Sequence, residues 1–296
     1  MLNRASKPFV KLVERYLPDP YIFVLLLTLI TFAFAVVIQN QSPLTTIQQW
    51  GDGFWGLLTF SMQMLLVLVT GFMLACTPLV KALLERLASL AKSPGSAIVL
   101  VTLVSLIASW INWGFGLVVG ALFAKALARK VSVDYRLLVA SAYSGFIVWH
   151  GGLAGSVPLT IATPGHFSEA QIGVIGTGET IFSGFNLLLL AIMFVIIPLV
   201  NRLMLPPESE SIIVDSAKLK DDALPSATNE RPADKLENSK VLGLLVGFAG
   251  LAYLTNYFVS GGGLNLNIVN TLFLFLAIVL HGTPRNVLHS LQQAVQ

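Results

Sequence analysis

The chain has 296 residues, 55% of them apolar and only 11% charged, with a mean hydropathy of +0.78 and a formal net charge of +3. Soluble domains carry about 25% charged residues, so this composition excludes a cytosolic enzyme and points to lipid as the main solvent. The small basic excess is no nucleic-acid footprint, because the aromatics lie in apolar runs, and a single cysteine, Cys76, excludes an intrachain disulfide or thiolate metal site.

Arg4, Lys7, Lys11 and Arg15 precede an apolar run at 21–38. It is too long for a signal-peptide core and lacks a small-x-small cleavage site, so an uncleaved span is predicted there. A second span is predicted at 54–75, followed by a loop with Lys81, Arg86 and Lys92. The third apolar stretch, 97–124, would be about 42 Å long as one helix at ~1.5 Å per residue, against a ~30 Å hydrocarbon core. In its middle, Ser109-Trp110-Ile111-Asn112-Trp113-Gly114-Phe115-Gly116 offers a turn between apolar half-helices. The stretch is either a re-entrant hairpin or one tilted, kinked span.

Cytoplasmic loops collect Lys and Arg, and this rule favours the hairpin. If every stretch crosses once, seven basic residues fall inside and eleven outside. If 97–124 enters from the cytoplasm and turns back, all eighteen fall on the cytoplasmic side.

The fourth stretch, 137–162, is interrupted by His150-Gly151-Gly152-Leu153-Ala154-Gly155-Ser156-Val157-Pro158. Three glycines and a proline disfavour a continuous helix. The prediction is a discontinuous span: a half-helix to Trp149, an unwound loop, and a second half-helix from about Val157 with Ser156 as its N-cap. An ordinary short helix followed by an outer loop is the alternative. A fifth span is predicted at 180–200. The segment 206–240 holds eight of the fifteen acids and several prolines, and is expected to be a charged, largely unstructured cytoplasmic linker. Two further spans, 241–259 and 266–280, precede the start of another helix at 285–295.

Broken helices are tolerated at membrane depth only where protein buries them or where they line a cavity, so two breaks suggest a transport site. The first five spans contain no Asp, Glu, Lys or Arg. Anion recognition would therefore rest on backbone N–H groups and on Ser109, Asn112, Ser156, Thr160 and Thr163. His150 is the titratable group beside the second break and the candidate for proton coupling. Trp110, Trp113, Phe115, Phe146 and Trp149 either line a pocket or serve helix packing and the interfacial belt. No HExxH or GxSxG motif occurs, and the Gly-x-Gly patterns lack a nucleotide-site context, so an enzyme is not expected.

Tyr16-Leu17-Pro18-Asp19-Pro20, Trp50-Gly51-Asp52-Gly53-Phe54-Trp55, Ile111-Asn112-Trp113-Gly114-Phe115-Gly116-Leu117-Val118-Val119-Gly120-Ala121 and Phe182-Ser183-Gly184-Phe185-Asn186 closely resemble the bacterial short-chain fatty acid uptake family of AtoE type. The resemblance runs over essentially the whole chain. It implies import of short-chain monocarboxylates such as acetoacetate and butyrate across the inner membrane. It also implies, through a distant similarity to inverted-repeat ion-coupled transporters, an all-α polytopic protein of about six transmembrane helices plus one re-entrant hairpin.

In that reading residues 1–205 form the first membrane repeat, 206–240 the cytoplasmic linker and 241–296 the start of a second half. Family members are longer and carry a second hairpin, so a truncated or inactive form is also an expectation. The expected substrate and ion site comprises Ser109, Asn112, Trp113, Gly114 and Gly116 at the hairpin tip, with Gly151, Gly152, Gly155, Ser156 and Thr160 at the second break. No metal or organic cofactor is expected; the coupling ion is Na+ or H+, and the wider group leaves a homodimer open. A channel-like anion pore and a non-transporting membrane scaffold are the alternatives.

Overall fold

The computed structural model describes residues 2–219 and 231–295, which are helical throughout apart from turns and loops, with no strand among them. Six of the described helical segments are long and apolar enough to cross a membrane. The chain divides into two compact units, Met1–Ser61 and Met62–Gln296.

The first unit contains α1 (Leu2–Tyr16), α2 (Pro20–Val37), α3 (Pro43–Gly53) and the start of α4 (Leu58–Ala75). The sequence had suggested only a basic flank where α1 lies. α2 is apolar all round and buries none of its residues, as a helix facing lipid does.

The second unit continues with the rest of α4, then α5 (Pro78–Ala88), α6 (Pro94–Ile111), α7 (Trp113–Ala128) and α8 (Tyr135–Ser144). A tight 3-10 stretch, Gly145–Gly151, and the short helices α9 (Ser156–Ile161) and α10 (Glu169–Ile172) lead to α11 (Gly184–Leu203). Then come α12 (Pro232–Glu237), α13 (Lys240–Val259), α14 (Leu266–His281) and α15 (Pro284–Ala294).

Helix starts are written into the sequence. Asp19-Pro20, Ser42-Pro43, Thr77-Pro78, Ser93-Pro94 and Thr283-Pro284 each place a capping side chain before a proline whose missing N–H costs nothing in the first turn. Ser93 and Ser96 complete a reciprocal capping box at α6.

α6 and α7 form an antiparallel pair joined by Asn112 alone. Gly116 faces Ser109 and Gly120 faces Ser105, so one register runs down the pair. The arms are about 27 and 24 Å long at ~1.5 Å per residue, both short of a ~30 Å hydrocarbon core. A first apolar cluster, including Ile98, Val101, Phe123, Leu127 and Leu138, binds the pair to α5 and α8. A second, including Val67, Met73, Leu159, Leu266 and Phe273, joins α4, α9 and α14. There the Asn270 amide donates to the Gln63 carbonyl at 3.0 Å, and the His281 Nε2 lies 2.8 Å from the Met73 carbonyl oxygen. α13 packs on α14 through Gly243, Gly247 and Gly250, which admit Gly282, Val279 and Phe275.

Two sequence expectations change. The fourth stretch is helical only to Ser144 and then tightens into the 3-10 turn, because Gly145 must lie against the backbone of Ser105 and Leu106. The linker is not loose where it is described. The Ile212 N–H donates to Asp134 and the Tyr135 N–H to the Ile212 carbonyl; Arg136 reaches the Glu210 carbonyl. Asp234 is buried between Arg231 and Arg285 at 3.0 and 3.3 Å. Residues 220–230, the middle of the expected linker, lie outside the described residues.

Candidate functional site

The hairpin turns on one residue. Asn112 is fully buried and extended, at φ −157° and ψ 128°. Its N–H closes α6 on Ala108 at 2.9 Å, while its side-chain Oδ1 caps α7 by accepting from the Phe115 N–H at 2.9 Å. An asparagine in this place ends one helix and starts the next without leaving either terminus unsatisfied. α4 presses on the turn from one side. A Cβ on Gly114 would come within 2.7 Å of the Leu68 Cα, and one on Gly71 within 2.9 Å of the Gly114 carbonyl carbon. Both glycines are required by backbone-to-backbone contact.

The second break docks on the same turn. The Leu153 N–H donates to the Trp110 carbonyl at 2.7 Å, and Gly152 lies flat against the Trp110 backbone. The Asn186 amide donates to both the Gly151 and Ile181 carbonyls, at 3.0 and 2.7 Å, which ties the break to the start of α11. Trp113 and Trp149 have ring centroids 5.8 Å apart, and Phe146 stacks on Trp149 at 5.0 Å. The two breaks found in the sequence are thus one junction, walled by aromatic rings.

The polar groups there are poorly satisfied by protein. Among the described residues, Asn112 Nδ2, Trp110 Nε1, Trp113 Nε1 and the Ser156 hydroxyl are buried without a hydrogen-bond partner. Buried donors left unpaired cost about 1–3 kcal/mol each, so each of these groups is left wanting an acceptor. A carboxylate is acceptor-only and fits such a set. The N-terminal end of the 16-residue helix α7 opens on the same turn and favours negative charge.

The predicted residues divide by role. Asn112, Trp113 and Ser156 present unpartnered groups at or beside the junction. Ser109 is buried against Gly116 and lines a cavity together with residues of α7 and α8. Gly114, Gly151 and Gly152 serve close packing. Thr160 spends its hydroxyl on the Ser156 carbonyl at 2.5 Å.

Ser156 is not the cap the sequence suggested. Gly155 occupies the N-cap position without a side-chain bond, and α9 is only six residues long, too short to add much dipole. His150 is exposed at the surface, its ring 3.7 Å from that of Trp149. Sequence reasoning placed Trp113 in the expected site and offered Trp110 and Trp149 as packing or pocket wall, but gave the indole N–H groups no role; it also missed Gly71. Among the described residues no group of three or more His, Cys, Asp or Glu could hold a metal ion.

The charged end of this unit is also assembled. Arg129 and Lys130 pair with Glu85 at 2.6 and 3.3 Å, and Arg129 donates to the Leu219 carbonyl at 2.7 Å. Gly95, at the start of α6, lies near the Arg202 guanidinium.

Comparison with known proteins agrees with the resemblance read from the sequence. Residues 1–296 match the sequence profile of the family described as Short chain fatty acid transporter. A protein of Escherichia coli strain K12 described as a short-chain fatty acid transporter is 43% identical over 303 aligned positions, which cover 100% of this chain and 68% of that protein. A protein of Haemophilus influenzae with the same description is 40% identical, covering 100% of this chain and 69% of its own length. No solved structure matches.

Proposed function

The chain belongs to the short-chain fatty acid transporter family, and from that premise we propose that it is a secondary carrier which holds a short-chain monocarboxylate, acetoacetate or butyrate in size, at the junction of the α6–α7 turn and the second break. The observation that carries this reading is the set of unpartnered buried groups on Asn112, Trp113 and Ser156. They supply donors for a carboxylate, while Phe146 and Trp149 supply an apolar wall for a short alkyl tail.

No Lys or Arg stands at the turn. Neutral donors and a helix terminus bind an anion loosely enough to release it, whereas an ion pair with a buried guanidinium would be hard to break. Carrying a bare carboxylate through a low-dielectric interior is costly, so a co-transported cation, Na+ or H+, offsets its charge. His150, exposed against Trp149, is the group through which a proton would act.

In this reading α6 and α7 enter from the cytoplasm and return, and the N-terminus and linker are cytoplasmic, in the bacterial inner membrane. Supporting it, the start of α6 with Arg202, the end of α7, the α5 carboxylate of Glu85 and Leu219 of the linker share one charged end.

Uptake of radiolabelled butyrate into proteoliposomes tests the proposal. Saturable uptake and counterflow are expected, with strong loss in Asn112→Ala and Ser156→Ala. Uptake indifferent to both substitutions would overturn the site, and conductance without counterflow would make the protein a pore.

A further inference from the structure

Beyond the turn, α7 and α8 leave between them a cavity of about 200 Å³. Ser109 and Gly116 line it near the turn, Leu117 and Val139 form its apolar walls, and Lys125 and Tyr135 line its opposite end. Given ~30 Å³ per water in the liquid, the space exceeds several water molecules and admits a four-carbon acid.

Lys125 sits nine residues past Gly116 on α7, about 13 Å along the axis at ~1.5 Å per residue. An extended four-carbon acid is only about 6 Å long, from C–C bonds of ~1.52 Å. A molecule whose carboxylate is at Lys125 therefore cannot also reach Asn112. Lys125 is half-buried and makes no hydrogen bond or ion pair among the described residues, whereas its neighbours Arg129 and Lys130 are both engaged by Glu85. An unpaired ammonium at one end of a mostly apolar cavity is complementary to an amphipathic anion.

We propose that this cavity is a second station for the short-chain monocarboxylate, on the cytoplasmic side of the turn, in which Lys125 holds the carboxylate and Leu117 and Val139 flank the alkyl chain. The station rests on the carrier reading for its substrate, but not on the role of Asn112. Its charge makes it a capture and release point: the acid exchanges with the cytoplasm at Lys125 and with the neutral donors at the turn.

Ala121 lines the same cavity and is exposed, so it reports occupancy. Ala121→Cys in a Cys76→Ser background, reconstituted in phosphatidylcholine, is labelled with an anionic methanethiosulfonate with and without butyrate. Butyrate is expected to slow labelling roughly tenfold or more, the scale of a charge-assisted hydrogen bond. Protection should vanish in Lys125→Gln and persist in Asn112→Asp, which keeps the oxygen that caps α7.

No protection, protection unchanged by Lys125→Gln, or protection lost in a stably folded Asn112→Asp would each overturn the station. So would slowing by phosphatidylglycerol but not by butyrate, which would make the cavity a lipid site. Protection without any transport would instead overturn the carrier reading and leave the station standing. As an independent measurement, Lys125→Gln should raise the half-saturating butyrate concentration several-fold in inside-out vesicles and leave it unchanged in right-side-out ones; an equal change on both sides contradicts the proposal.

Discussion

The backbone N–H of Leu153 donates to the carbonyl oxygen of Trp110 at 2.7 Å, so the break after the 3-10 stretch is pinned to the last turn of α6. Gly152, the preceding residue, lies against the same backbone, where a Cβ would come within 2.9 Å of the Trp110 Cα and carbonyl carbon.

Gly152→Ala is therefore expected to push the break off the hairpin. Overpacking of this kind costs about 1–3 kcal/mol. Thermal unfolding in detergent should show a lower Tm together with lost butyrate uptake. Gly176, with open space around its Cβ position, is the control, and Gly176→Ala should leave both unchanged.

Asp134 makes stability depend on acid pH. Burial alone would raise its pKa, but hydrogen bonds from Arg136 and from the Ile212 and Leu137 N–H groups outweigh that and hold it below the ordinary 3.8. A lowered folded pKa means the stabilisation is fully present above about 3.8 and is lost as pH falls through the folded value. Asp134→Asn should cost about 1–3 kcal/mol near neutrality. Tm curves of wild type and variant should converge below the ordinary carboxylate value; a gap that stays constant to lower pH would refute the assignment.

The two partners of Asp234 should differ. Arg285 is mostly buried and also pairs with Glu237 at 2.9 Å, while the Arg231 side chain is 70% exposed. Exposed ion pairs are worth about 0–1 kcal/mol and buried ones cost several when broken. Arg285→Ala should accordingly lower the Tm and speed hydrogen exchange in α12 and α15, and Arg231→Ala should do little.

The antiparallel α6–α7 pair was legible because its signals are local: a stretch long for one crossing, with an Asn and two Gly at its middle. The turn was read over Ser109 to Gly116, and the structure narrows it to Asn112. The second break was legible as a break but not in form. Ending α8 at Ser144 depends on Gly145 meeting Ser105, and the cap at Gly155 depends on how that turn is held, neither of which is encoded nearby. Linker docking was hidden for the same reason, since Asp134 and Ile212 are 78 positions apart. His150 stood out as the titratable residue of its loop, yet sequence carries no sign that its ring would be exposed, nor that the indoles of Trp110 and Trp113 would be buried without partners.

Asn112→Asp separates fold from binding more sharply than any truncation. Aspartate keeps the oxygen that caps α7 on the Phe115 N–H, but replaces the unpartnered Nδ2 donor with negative charge facing the site. Butyrate uptake into proteoliposomes, measured beside the Tm, is the direct test. The carrier account predicts a protein that still folds, with a Tm lowered by the buried charge and uptake abolished; uptake preserved in a stably folded Asn112→Asp protein would contradict it.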